Sequence, residues 1–312
     1  MAPMAYRLDP GRPTPLELRR VLAEQLGAAA ELLSGATPPA GEDLHDTRTH
    51  VKKARAVLRL ARGDVGVGIA RHANGELRTV NRSLAGARDL DSLVECLDRL
   101  ADAAADDTER AAIASVRTVL ADPGVSPGGD VGPEALTRSR AHQAAAALQR
   151  TASWIERVPP RDEGWAALAV GFEREYRRGR RRRADLGDDP TPEQLHEWRK
   201  RVKDLWYHQR LLRDLWPAAQ HPIRAGAKRL ASTLGDDHDL AVLRRVLVDG
   251  GRPVAGPDRD LVISLVDAER LRLLVGAREL GGYLYADEPG AWVARHGAWW
   301  GQGLTCDGGP RP

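Results

Sequence analysis

Two stretches of the chain, about 150 residues apart, carry the same basic pattern. Leu44 to Arg59 reads LHDTRTHVKKARAVLR, and Leu195 to Arg210 reads LHEWRKRVKDLWYHQR. Each contains His-x-x-Arg-x-x-Val-Lys, with an Arg seven residues later. In the first copy, His45, Arg48, Lys52, Arg55 and Arg59 are separated by steps of three, four, three and four, which places them on one helix face. In the second, the stripe is His196, Arg199, Lys203, Trp206, Arg210 and Arg213. Arginine grips phosphate oxygens through a permanently charged planar fork, lysine adds a point charge, and histidine donates a hydrogen bond or, once protonated, a charge. Such a stripe suits a strongly anionic ligand and not carboxylate acid–base catalysis.

The helices that must carry these stripes are legible from their apolar positions. Leu44, Val51, Ala54 and Leu58 recur at core spacing in the first copy, and Leu195, Trp198, Val202, Leu205 and Leu212 in the second. Each basic stripe is displaced by one residue, roughly 100°, from its apolar stripe, so it borders the interior. It runs for roughly 20 Å. A lone basic stripe is more often a solvated face. Here the duplication argues for function, because a surface face could drift to Glu or Gln while both copies keep cations at matching phases.

Other cations are placed to join them. Lys53 and Lys200 stand beside the stripes, and Tyr207 follows the second. In the run from Glu173 to Arg183, the residues Arg174, Arg177, Arg178 and Arg181 share a helix face. Arg78, Arg82, Arg88 and Lys228 flank a second repeated block, and Arg19 and Arg20 come from the first helix. That block runs Ser83-Leu84-Ala85…Arg88-Asp89-Leu90 in one half and Thr233-Leu234-Gly235…His238-Asp239-Leu240 in the other. The near-constant offset predicts an all-α protein of two similar halves, residues 15–158 and 159–300, each a four-helix bundle, related by a pseudo-two-fold axis. Residues 1–14 read as an N-terminal extension and 301–312 as a flexible tail.

Periodicity predicts helices over Pro15–Ser34, Asp43–Arg62, Gly66–Leu84, Asp89–Leu120, Pro133–Val158, Glu163–Asp185, Pro192–Leu215, Ile223–Leu234, Asp239–Val248, Pro257–Tyr285 and Pro289–Trp300. No alternating strand pattern is present. Composition agrees: only 14 of 312 residues are aromatic, and β-branched residues are sparse. The 47 Lys and Arg are nearly balanced by 44 Asp and Glu, for a net charge of +3, so the basic character lies in placement. Cys96 and Cys306 are too few and too distant for a disulfide or metal framework. With no signal-peptide core and no apolar run long enough to span a membrane, a soluble, cytoplasmic protein is expected.

Other motifs in the chain compete with this reading. Asp236-Asp237-His238-Asp239 has the residue types of a metal-dependent phosphohydrolase, with His238 and Asp239 as its ligands. The aligned first half has Ala87-Arg88-Asp89, and Arg in the place of His argues against a metal. Helix capping, or orientation of a neighbouring arginine, is the expected role of Asp89 and Asp239. Asp46 and Glu197 are expected to cap their helices. No glycine-rich phosphate loop occurs. Nucleic acid also presents phosphates, but readers of single strands interleave aromatics, and the stripes offer only Trp206 and Tyr207.

His45-x-x-Arg48-x-x-x-Lys52-Lys53-x-Arg55, repeated as His196-x-x-Arg199-x-x-x-Lys203 and followed by Tyr207, resembles the CHAD family, the conserved histidine α-helical domain. Leu234-Gly235-Asp236-Asp237-His238-Asp239-Leu240 resembles its second block, and Ala277-Arg278-Glu279-Leu280-Gly281 with Trp299-Trp300 its closing helices. The resemblance covers residues 15–300 as one domain of a stand-alone member. It implies two four-helix bundles around a basic cavity that binds inorganic polyphosphate, and association with polyphosphate granules; no cofactor, metal or catalysis is expected. Some members are fused to a triphosphate-tunnel metalloenzyme domain, whose hydrolase chemistry is not carried over. Two departures stand out: Asp204 and Trp206 where the family often has Arg, and Thr49 and His50 at usually apolar positions. Unequal contributions from the two halves are therefore expected.

Overall fold

The computed structural model describes residues 6–35, 39, 41–84, 89–121, 138–249, 254 and 256–302, with the backbone alone at 89–91. Among these residues the protein is helical throughout, without strands. The helices are α1 (Thr14–Leu33), α2 (Gly41–Leu60), α3 (Arg62–Val65), α4 (Val67–Ser83), α5 (Asp89–Asp102), α6 (Asp107–Ala121), α7 (Arg138–Glu156), α8 (Ala166–Ala184), α9 (Pro192–Leu211), α10 (Pro217–Val248), α11 (Gly256–Leu284) and α12 (Pro289–Gln302). The two basic motifs occupy α2 and α9, helices of 20 residues each.

Three boundaries differ from the sequence expectation, each for a local reason. The expected helix Asp89–Leu120 is two helices, because Asp106 accepts from the Glu109 amide at 2.9 Å and Glu109 accepts from the Ala105 amide at 2.7 Å. That pair starts a new helix at α6. The expected Ile223–Leu234 and Asp239–Val248 helices are one, α10, running through Gly235 to His238 without a break. Asp239 is therefore inside a helix and not its cap. At α9 the cap is Thr191 with Gln194, a reciprocal capping box ahead of Pro192, and not Glu197, which ion-pairs with Lys200.

Two apolar clusters hold the helices. The larger is built from α1, α2, α4, α7, α8, α9 and the adjoining parts of α10, α11 and α12, with Trp198, Phe172, Tyr176 and Tyr285 buried in it. The smaller is built from α5, α6, the second half of α10 (Leu240, Leu243, Leu247) and part of α11 (Val262, Val266, Leu273). The long helices α10 and α11 thus belong to both clusters. The segment before α1 is anchored: Tyr6 and Leu8 are buried, and the Leu8 amide donates to the Leu211 carbonyl at 2.9 Å.

The approach of α8 to the end of α2 decides where the basic face of α2 lies. A Cβ on Gly171 would sit 2.1 Å from the Leu60 carbonyl oxygen and 2.4 Å from that of Arg59. Only glycine allows this backbone contact. Gly171→Ala is expected to cost about 1–3 kcal/mol or more in urea unfolding. Gly276→Ala, in α11 with no atom within 4 Å of its Cβ position, should be neutral or stabilising by up to about 1 kcal/mol.

Candidate functional site

Helices α2 and α9 lie side by side, and their basic faces enclose a cavity of about 370 Å3. Arg48, Lys52, Arg55 and Arg59 line it from α2, and His196, Arg199, Lys200, Arg201, Lys203, Asp204 and Tyr207 from α9. Asn81 of α4 and His238 of α10 close it. A neighbouring cavity of about 350 Å3 shares Arg55, Arg59 and Arg201 as a common wall. Arg62, Arg71, Asn74 and Arg78 line it on one side, Arg174 and Arg178 of α8 on the other. Thirteen basic side chains line the two cavities, with Asp204 as their sole lining carboxylate among the described residues.

Two buried carboxylates hold this array together. Asp204 lies 2.5 Å from Arg59 and 2.9 Å from Arg201, joining α2 to α9. Glu175 of α8, 1% exposed at its side chain, contacts Arg174, Arg178 at 3.0 Å and Arg201 at 3.2 Å. Arg55 is held by Asn74, its Nε donating to the amide oxygen at 2.9 Å. On the other wall, the Arg199 guanidinium lies against α10, where a Cβ on Gly235 would come within 2.8 Å of it. The Arg199 Nε is buried without a hydrogen-bond partner. This close approach explains a glycine in mid-helix, where it costs about 1 kcal/mol relative to alanine.

The electrostatics are those of buried cations crowded together. Burial, and then the Arg59 charge, brings the Arg55 pKa down to about 10. Burial followed by Arg199 lowers Lys203, and burial lowers Arg178. The His196 and His238 rings stand 4.4 Å apart, centroid to centroid. Burial first, then His238, Lys200 and Arg199, pull His196 down to about 4 against the opposing pull of Glu197. His238 is lowered by burial and by Arg199. Both rings are neutral at pH 7. The Tyr207 phenol, pushed up to about 12 by burial, keeps its proton and can donate. Every shift favours discharge, so an anion entering here meets groups that gain from its charge.

Not all the expected residues come here. Arg19 is buried on Asp64 at 2.7 Å and donates to the Pro15 and Val158 carbonyls, and Arg20 is bound to Glu17 and Glu24; both brace α1. His45 is exposed at the start of α2 and does not line the cavity, and Arg82 and Lys228 are likewise exposed outside it. The Lys53 carbonyl accepts from the Tyr6 hydroxyl while its ammonium sits 5.9 Å from that ring. Arg210 stacks on Tyr6 and Trp206 at 5.3 and 5.1 Å, so the tyrosine before α1 diverts two cations. Arg177 and Arg181 turn to a different face of α8. Arg88 lies outside the described residues.

Four lining residues missed by the sequence reading had a usable signal. Arg62 continues the steps of the α2 stripe by three residues. Arg71, Asn74, Arg78 and Asn81 form a polar stripe on α4 with steps of three, four and three. Arg201 had none: it lies off the stripe, and buried acids draw it in.

The Asp236–Asp239 block occupies the seam between the two apolar clusters. Asp237 bonds Arg270 of α11 at 3.0 Å, and Arg99 of α5 lies 3.7 Å from Asp236 and 3.9 Å from Asp239. Each carboxylate thus faces an arginine, and Asp239 orients one instead of capping. Among the described residues, no group of three or more His, Cys, Asp or Glu is disposed to hold a metal ion. No described helix is long and apolar enough to cross a membrane.

The CHAD domain family model matches residues 18–248, most of the chain. The chain belongs to the CHAD family. The crystal structure of the CHAD domain from the plant Ricinus communis is similar to this CHAD chain with a TM-score of 0.54. The match covers 90% of this chain and 96% of that one at 17% identity, a likeness that speaks for the CHAD fold alone. No curated protein matches.

Asp204→Asn removes the charge shared by Arg59 and Arg201 and leaves two buried guanidinium groups facing each other. It is expected to destabilise the protein by about 3–5 kcal/mol in urea unfolding. Glu197→Gln, whose Lys200 pair is solvated, should cost under about 1 kcal/mol.

Proposed function

We propose that the protein binds inorganic polyphosphate, without catalysis, in the paired cavities between α2, α4, α8, α9 and α10. The observation that carries this reading is the lining itself: thirteen cations from five elements converge on a connected wall with one carboxylate among them. Membership of the CHAD family supports it, since the resemblance implies this ligand. Successive phosphates would be gripped by arginine forks from α2 and α9 together, with Tyr207 and the neutral histidines donating hydrogen bonds. The ligand needs charge at every step along the wall and no base. Trp206, the one tryptophan on the stripes, is occupied by Arg210 and does not offer a stacking platform. Targeting to polyphosphate granules follows from the same binding.

The deciding experiment is equilibrium binding of long-chain polyphosphate, against duplex and single-stranded DNA, at two salt concentrations. Polyphosphate should win at the higher salt. Arg48→Glu with Arg199→Glu should abolish its tight binding while the helical circular dichroism is unchanged. Nucleic acid binding equally well, with both fading together as salt rises, would reduce the cavities to a general polyanion surface.

Binding should also take up protons. Without ligand His196 is neutral down to about pH 4, and an anion beside it raises its pKa toward the ordinary 6.5 or so. Affinity is therefore expected to rise by about tenfold or more as pH falls from roughly 6.5 toward 4, and to be flat above about 7. Stability without ligand runs the opposite way. The unfolded chain takes the His196 proton below about 6.5, so stability is lost as pH falls through that window. His196→Asn should reduce both slopes, as read by calorimetry and by urea unfolding.

A further inference from the structure

Arg174 and Arg178 face the central cavities, but α8 carries a second arginine cluster. Arg177, Arg180, Arg181 and Arg183 line a separate cavity of about 760 Å3. Its opposite wall is the connection from α11 into α12, Tyr285 to Gly290. None of these residues lines either central cavity. Two of the arginines are engaged, Arg177 by Glu173 and Arg180 by Glu288, and Glu288 is the only carboxylate in this lining. Arg181 and Arg183 make no ion pair with any described residue, and the Arg183 Nε is buried without a hydrogen-bond partner.

The wall opposite carries Glu288, engaged by Arg180, and the start of α12. The first turn of α12 opens on the cavity at Pro289 and Gly290 and contains no acidic residue. Pro289 has no N–H and the Trp292 amide donates to the Glu288 carbonyl, which leaves the Gly290 and Ala291 amides without a partner within the helix and able to favour an anion. Asp287 is drawn away by Arg295 at 2.5 Å, and the space beside Gly290 is open. A cavity of this size lies within the range of small-ligand sites.

We propose that this cavity is a second anion site, independent of the central one, that takes a compact phosphate of about the size of pyrophosphate. Arg181 and Arg183 supply the forked grip, and the α12 amides meet the far oxygens. The end of a long phosphate chain offers the same chemistry, so the test must separate the two sources.

The probe is pyrophosphate, titrated calorimetrically into the full chain. In the Arg48→Glu, Arg199→Glu background, where the central cavity is disabled, pyrophosphate should still bind. Adding Arg181→Gln and Arg183→Gln should weaken it by about tenfold or more. Pyrophosphate affinity unchanged by those two substitutions, or absent before them, would overturn the proposal. A loss confined to long-chain polyphosphate, with the central cavity intact, would also overturn it in favour of a chain end. Arg181→Glu alone, at an exposed side chain, gives the same reading should the Arg183 substitution impair folding. Failure of the central site shows separately, as long-chain binding that survives Arg48→Glu with Arg199→Glu even after Arg181→Gln and Arg183→Gln are added.

Discussion

Like charges crowded at low dielectric are the constraint on which this structure depends. Two cations about 4 Å apart near a protein surface repel by roughly 4 kcal/mol, and the cavity wall assembles many. Asp204 and Glu175 make the assembly possible. Each is buried beneath the wall and contacts more than one arginine, so a single carboxylate screens several cations from behind while the front stays open. Because the two acids meet at Arg201, the network also ties α2, α8 and α9 together. Substituting a cation at the Asp204 position would add charge to the wall and remove the contact that holds Arg59 in place.

The architecture was legible because helix periodicity is strong and the breakers are clear. The basic motifs fell on α2 and α9, and ten of the expected site residues line the cavity that they enclose, among them Arg48, Lys52, Arg55, His196, Arg199 and Lys203. Three more, Arg78, Arg174 and Arg178, line its neighbour. What failed was local. The break before α6 was hidden in an Asp106–Glu109 capping pair inside an otherwise continuous pattern. The continuity of α10 was hidden by Gly235, which reads as a breaker but is there for the Arg199 guanidinium. Neither contact is visible without its partner, one local and one 36 residues away in sequence.

The site was less legible than the helices for a reason of chemistry. Sequence shows that an arginine exists but not which carboxylate has claimed it. Arg19 and Arg20 differ from Arg199 in being met by Asp64 and by Glu17 and Glu24. Lys53 and Arg210 carry stripe-like positions and still serve packing, because Tyr6 supplies an aromatic face for both. The departure from family pattern at Asp204 pointed to unequal halves. In the structure that aspartate is the hub on which the wall is organised.

The anchoring of Tyr6 and Leu8 has a consequence for how the chain is made. These residues leave the ribosome well ahead of their partners, for Leu8 pairs with Leu211 and the Tyr6 ring packs edge-on against Tyr207 at 6.1 Å. Some two hundred residues must be synthesised before either finds its partner. During that interval α1 and α2 can pair with each other, but the face of α2 turned toward α9 stays uncovered. Closure is a long-range step, slow in proportion to the chain it must gather. Throughout that interval the nascent protein presents a half-built basic surface to a ribosome made of RNA.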